Sequence, residues 1–440
     1  MNPGFSLLIA LSPWLTGGLI GAYFTRDHIA PIRIIAFAGA ALIGQELIAA
    51  LGLLMAYLGV TLFHPIIPLC LALAIVLLLF ANGISMRLEK TDFTVIDVGL
   101  LVGIAFLLAF VAFGALNIPT AGWDTLWHWA PISREFIDAQ LQEPPTSWSY
   151  SGTHPATVAI ISAWSAGWLP SETMSSAFVG WILGWLSIVM TVGAYTHVMC
   201  KRLSLSLLLA YGVGSLPLLE NHVLQGGYAE IFVAGHVAAA TALLSIGARD
   251  KDNRLLFLGL VLAVTTVALK NIGWIYGLVA VAGVFVSHCQ AFTLRSQALI
   301  LGVLAITFFI MSGYLGGIEF RLGNRILSTE LTNLAQILIN QSYLLFVNGS
   351  FSIAPLLFLI ALGLSWRRPT RSHDHYLDAP LVVASGVLGF LTLSQFTDYG
   401  FLYALPHNDS GNSRLSIPFA VVSVMTVPFI LERLKSKPAT

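Results

Sequence analysis

Long apolar runs recur from one end of this 440-residue chain to the other, with no extended polar block between them. That pattern decides what the chain can fold into, because runs of this length cross about 30 Å of hydrocarbon as helices. The balance of residues agrees with it. Hydrophobic residues make up 57% and charged residues 10%, against roughly 25% charged in a soluble domain. Mean hydropathy is +0.84. The expected fold is all-α: a single polytopic membrane domain over residues 1–440, divided into N-terminal helices (1–94), a core (95–420) and a last helix end with a tail (421–440). Formal net charge is +0, which argues against a nucleic-acid surface or a strongly polybasic membrane patch. Cys70, Cys200 and Cys289 lie in or at the ends of apolar segments without CxxC spacing and read as packing residues. Met1 to Ser6 lacks a positive n-region, so the first apolar run is expected to stay as a helix.

Apolar windows give roughly thirteen candidate spans. They lie near 6–24, 31–60, 65–86, 95–116, 173–199, 203–219, 229–248, 255–270, 272–288, 298–316, 351–366, 379–396 and 415–431. The segment 155–168 is short and opens with Pro155, so it reads as an interfacial or re-entrant helix. With that parity, of the 21 Lys and Arg residues only Arg134, Lys270, Arg321, Arg325 and Arg414 fall on one side. The basic side is therefore expected to be cytoplasmic. The longer loops 117–154, 220–228, 317–350 and 397–414 then face outward.

Those outer loops hold the candidate site. Gly122-Trp123-Asp124-Thr125-Leu126-Trp127-His128-Trp129 opens the first of them, and a carboxylate kept at the mouth of a membrane domain is a candidate working residue. Arg134, Glu135 and Asp138 follow on an expected amphipathic helix lying in the interface, with Trp123, Trp127, Trp129 and Phe136 toward lipid. An aromatic belt with a capping Asp124 is the plain alternative. In the next loop Glu220-Asn221-His222 precedes Gly226-Gly227-Tyr228-Ala229-Glu230. Glu230 suits a helix N-terminus by the macrodipole alone, and the paired glycines would let backbone approach a ligand. Lys270-Asn271 interrupts an apolar run. Its ammonium either snorkels to the interface or neutralises a phosphate, as could the forked guanidinium of Arg414.

The order of these motifs carries a resemblance. A GWD-led outer loop, His154-Pro155 opening a short helix, GGYAE heading a helix, ALKNIG within one, and a late outer loop ending in SRL resemble the GT-C superfamily of polytopic glycosyltransferases. The nearest branch in this respect is the bacterial one related to protein mannosyltransferases and aminoarabinose transferases. The resemblance spans about residues 95–420 and lies in the order and topology of the motifs. It implies transfer of a sugar from a polyprenyl-phosphate donor to an extracytoplasmic lipid or glycan acceptor. The implied setting is the bacterial inner (plasma) membrane, with the site facing the periplasm or exterior. Asp124 matches the essential first-loop acid. Tyr228-Ala229-Glu230 matches a motif usually written with Asp. Lys270-Asn271-Ile272-Gly273 matches Lys-x-Glu-Gly, with Ile272 where relatives carry an acid. Thr125 stands where a second adjacent acid is common.

Displacing polyprenyl phosphate from an anomeric carbon needs a base for the incoming hydroxyl and positive charge for the leaving phosphate. The expected roles are Asp124 as base and Lys270 with Arg414 against the phosphate. His128, His154, His222, Tyr228 and Glu230 are the expected substrate-binding residues; for His128, as for His407, a satisfied structural histidine is the alternative. The outcome would be inversion by direct displacement. A divalent metal held by Asp124, Glu230 and His222 or His154 fits the residue types, though no ligand spacing demands one. Two other classes compete. A secondary transporter would place ionisable groups near the bilayer midplane, whereas the acidic groups here are expected at the outer edge, Asp97 excepted. A lipid-glycan polymerase or ligase would use a diphosphate-linked oligosaccharide, to which the 317–350 loop is equally suited.

Overall fold

The computed structural model of the protein describes residues 3–81, 93–117, 129–138, 155–169, 175–224, 228–270, 272–288, 339, 341–347, 351–367, 375–394 and 414–435. Among them every regular element is a helix, as hydrocarbon demands of segments that must pair their own backbone groups. The order begins α1 (Pro3–Phe24), α2 (Ala30–Tyr57), α3 (Ile66–Ala81), α4 (Val95–Asn117), α5 (Ala130–Ile137) and α6 (Thr157–Trp168). It continues with α7 (Val179–Cys200), α8 (Leu203–Gly214), α9 (Pro217–Leu224), α10 (Glu230–Asp250), α11 (Asn253–Leu269) and α12 (Gly273–His288). It ends with α13 (Ala354–Arg367), α14 (His375–Ser394), α15 (Ile417–Val424) and α16 (Val427–Lys435).

Among the described residues six stretches are long and apolar enough to cross a membrane: Gly4–Phe24, Ala30–Tyr57, Val95–Asn117, Ser175–Cys200, Glu230–Asp250 and Ile417–Lys435. The chain is thus a multi-pass membrane protein. The expected span 203–219 is not one straight helix. It is α8 followed by α9 at a bend of 56°, because Pro217 has no N–H to give and its ring excludes the carbonyl four residues back. The bent pair is a seventh crossing if taken whole. At the other expected positions the helices are shorter, namely Ile66–Ala81, Asn253–Leu269, Gly273–His288, Ala354–Trp366 and Leu377–Thr392. The longest of these apolar stretches, 17 residues, rises about 26 Å against about 30 Å of hydrocarbon, while α14 as a whole has 20 residues and rises about 30 Å. Among the described residues, helix length and composition thus give six crossings, or seven with the bent pair taken as one. Segment 298–316 lies outside the described residues.

Small residues set the tightest contact. Gly17 and Gly21 on α1 meet Ala36, Ala40 and Gly44 on α2 so closely that a Cβ at Gly17 would strike the Ala40 carbonyl, and one at Gly21 the Ala36 carbonyl. Lipid tails are as apolar as Leu, so such backbone approach supplies the dispersion that holds membrane helices together. One contiguous core runs from Ile9 in α1 to Ile430 in α16. α10 is its axis, 94% buried over its apolar window and bordered by α2, α7, α11, α12, α14 and α15. α4 is peripheral, turning Val102, Phe106, Phe110 and Phe113 outward. Cys70 is exposed on α3 instead of packed, and Cys200 is half-buried.

The first-loop helix does not lie against lipid as expected. Trp129 and Phe136 are buried at 2% and 3% exposure, because α5 packs on α6. The Ser133 hydroxyl donates within 2.7 Å of the Trp129 carbonyl and 2.8 Å of the Ala159 carbonyl. α6 in turn has 12 residues, short as expected for 155–168, and is packed inside the bundle. Its Val158, Ala159, Ile160 and Ala163 are fully enclosed, as befits a helix that is apolar on all sides. Trp123 and Trp127 lie outside the described residues.

The far end of α10 is tied down by charge. Asp252 caps α11, accepting from the backbone N–H of Arg254 (2.7 Å) and Leu255 (3.2 Å). It also lies 2.9 Å from His28 Nε2 in the α1–α2 turn, while Arg254 reaches Asp27 at 3.1 Å. α10 has 21 residues, so its first residue, Glu230, stands about 30 Å from this network.

Candidate active site at the head of α10

At that opposite end, side chains from four separate segments converge. Glu230 is the first residue of α10 and is 2% exposed. An ionised carboxylate cannot be held in such a place alone. Its Oε1 pairs with the ammonium of Lys270, and its position at a helix N-terminus adds the favourable end of the dipole. Lys270 sits in the break between α11 and α12 in an extended conformation (φ −157°, ψ 145°). The break is tight. A Cβ at Gly273 would run into the Thr266 carbonyl, and one at Gly277 into that of Ala263, so α12 folds directly back along α11 and Lys270 is aimed at α10. The Lys270 side chain is 16% exposed, held in a part-buried ion pair with Glu230.

Tyr228 and His222 complete one wall. Tyr228 is anchored by its backbone carbonyl, which accepts from Trp181 Nε1 on α7 at 2.9 Å. The His222 ring on α9 lies 5.0 Å from the Tyr228 ring, tilted by 50°. On Tyr228 rests the Arg414 guanidinium, 4.5 Å from the ring centroid. A cation over an aromatic face gains about 0.5–2 kcal/mol from the ring quadrupole. Arg414 is positioned from the neighbouring residue, since Tyr276 of α12 donates to the Leu415 carbonyl at 2.8 Å. His222 is 4% exposed. Its Nδ1 lies 2.7 Å from the Leu218 carbonyl, which can only accept, so Nδ1 carries the proton. Nε2 of His222 and Oε2 of Glu230 have no hydrogen bond among the described residues.

Five expected site residues, His222, Tyr228, Glu230, Lys270 and Arg414, therefore form one cluster. Asp124, His128 and His154 lie outside the described residues, as do Gly226, Gly227, Asn271 and His407. Lys270, expected either to snorkel or to neutralise a phosphate, is paired with Glu230. The ammonium is shared with Glu230, and a phosphate would have to compete for it. Lys270 and Arg414 thus bring two cationic groups to the same partly buried place as Glu230, the residue types that bind phosphate oxygens. Of the expected metal set, Glu230 and His222 are described. Among the described residues no three His, Cys, Asp or Glu side chains converge as a metal set would.

Two features escaped the sequence reading. Trp181 and Tyr276 hold the site from α7 and α12, and nothing local in the sequence marks them. Glu46 on α2 and His236 on α10 form a buried pair in the bundle interior, Oε1 to Nε2 at 3.3 Å. This corrects the expectation that acidic groups keep to the edge. An ionisable residue inside an apolar run was the signal that could have found it. Asp97 turns out to be structural. It accepts from the backbone N–H (2.8 Å) and hydroxyl (2.7 Å) of Thr94 and donates its own N–H back at 3.2 Å, a capping box at the start of α4.

Compared with known proteins, the chain matches no family model, no curated protein and no solved structure.

Proposed function

We propose that this protein is a membrane glycosyltransferase of the GT-C type. It moves a sugar from a polyprenyl-phosphate donor to an acceptor hydroxyl on the extracytoplasmic side of a bacterial inner membrane. Thirteen spans, with the Asp252 network at the cytoplasmic face, would put the head of α10 outside. The observation that carries the reading is the convergence of Lys270 and Arg414 with Glu230, Tyr228 and His222 at one end of the innermost helix. In the reaction Asp124 takes the proton of the acceptor hydroxyl, whose oxygen attacks the anomeric carbon. The bond from that carbon to the phosphate oxygen breaks, and the electron pair leaves with the phosphate. Lys270 and Arg414 stabilise the charge that grows there, and Glu230 holds Lys270 in place until the anion arrives. Phosphate leaves readily, so inversion needs no separate general acid.

The test is transfer of radiolabelled monosaccharide from undecaprenyl phosphate to envelope lipid extract by protein reconstituted in liposomes. Wild type is expected to transfer label, and Asp124→Asn to lose it while remaining folded. Near-normal turnover by that variant removes the base assignment. A second reading, a proton-coupled secondary transporter, draws on the buried Glu46–His236 pair. Counterflow of a labelled solute in proteoliposomes that do not transfer sugar would favour it.

A further inference from the structure

Glu46 and His236 are buried side by side, with side-chain exposures of 7% and 0%. His236 lies six residues into α10 from Glu230, about 9 Å along the axis, and Glu46 lies well inside α2. Proton positions follow from the partners. His236 Nδ1 lies 2.8 Å from the Phe232 carbonyl, which can only accept, so Nδ1 carries a hydrogen. The nitrogen facing Glu46 is Nε2, 3.3 Å from Oε1. Neither carboxylate oxygen of Glu46 nor His236 Nε2 has a hydrogen bond among the described residues. Two acceptors then face each other in the buried interior. Empty, the gap sets a carboxylate charge against a nitrogen lone pair; filled by one proton, it becomes a hydrogen bond that satisfies both.

We propose that Glu46 and His236 form an intramembrane proton-binding site that holds one proton between Oε1 and Nε2 and thereby holds α10 against α2. Glu46 on α2 is the ionisable side chain that acts on His236; α7, α9 (with its Glu220 and His222), α11, α12, α14 and α15, which also border α10, contribute none among the described residues. The Gln45 amide next to Glu46 points to the Gly180 carbonyl at 3.5 Å. A purely structural clamp would be expected to satisfy the remaining carboxylate lone pairs with further donors. Here the one proton between Oε1 and Nε2 is what joins α2 to α10 at this level, and its loss would loosen the helix that carries Glu230.

The experiment measures unfolding of the purified full chain in detergent between pH 6 and pH 9. Unfolded, Glu is ionised and His neutral above about pH 6.5. The native pair holds one more proton, so the folding constant of wild type is expected to fall about tenfold per pH unit across the alkaline range. Glu46→Gln puts an amide N–H where the proton sits. It is expected to match wild type near neutrality and to lose that pH slope. Glu46→Ala is expected to be weaker at neutrality and also without the slope. An unchanged slope in Glu46→Gln, no slope in wild type, or failure of Glu46→Gln to fold would each overturn the proposal. The readout is stability, so the result stands apart from whether sugar is transferred.

Discussion

Replacing Lys270 with Met keeps the length of the side chain and removes the ammonium that faces Glu230. The carboxylate left behind has a side chain only 3% exposed. Removing one partner of a buried pair costs about 3–5 kcal/mol, because the other charge stays buried and uncompensated. Two features of this site reduce that figure. Glu230 heads α10, whose terminal amides offset up to about 2 kcal/mol in a partly buried setting, and Arg414 and His222 also act on it. The net expectation is about 2–3 kcal/mol, roughly a 30-fold or larger loss in the folding equilibrium. Removing both charges in Lys270→Met with Glu230→Gln should restore most of it, since a pair replaced as a unit leaves no orphan. Chemical denaturation of the two single variants, the double variant and wild type in detergent completes the cycle. The double variant also separates stability from function, because it should fold and still fail to use the lipid-phosphate donor. A stable Lys270→Met, or a double variant as unstable as the single one, would refute the coupling between these residues.

Phe136→Ala is expected to cost about 3–5 kcal/mol, measured in the same denaturation assay, because the ring is buried between α5 and α6; a loss below about 1 kcal/mol would fit a lipid-facing ring instead. Asp252→Ala removes the cap of α11 and is expected to cost about 1 kcal/mol at neutral pH. Burial pushes the Asp252 carboxyl up, but the Arg254 and Leu255 amides and His28 outweigh it and hold it below the ordinary carboxylate range. Its contribution is therefore complete above about pH 4 and is lost as pH falls through the lowered value. Acid titration of stability should show that loss in wild type and not in Asp252→Ala.

Much of the scaffold could be read from residue order. Apolar runs located the helices because hydrocarbon leaves the backbone little choice. Orientation was harder. Trp129 and Phe136 have the composition of an interfacial belt, and nothing local distinguishes a ring facing lipid from one facing α6. Pro217 was a visible break that a hydropathy window averages away. At the site, Lys270 and Glu230 were singled out separately, as odd charges in apolar surroundings. Their pairing depends on how the α11–α12 break folds back on α10, and that is set by Gly273 and Gly277 in close contact. Glu46 and His236 are far apart along the chain and meet only through the crossing of α2 and α10.

The side of the membrane reached by position 124 bears most directly on the account. In a variant with Cys70, Cys200 and Cys289 replaced and Asp124→Cys introduced, a membrane-impermeant maleimide applied to intact cells should label the protein. Labelling that requires permeabilised cells would put the first loop in the cytoplasm and contradict transfer on the outer face.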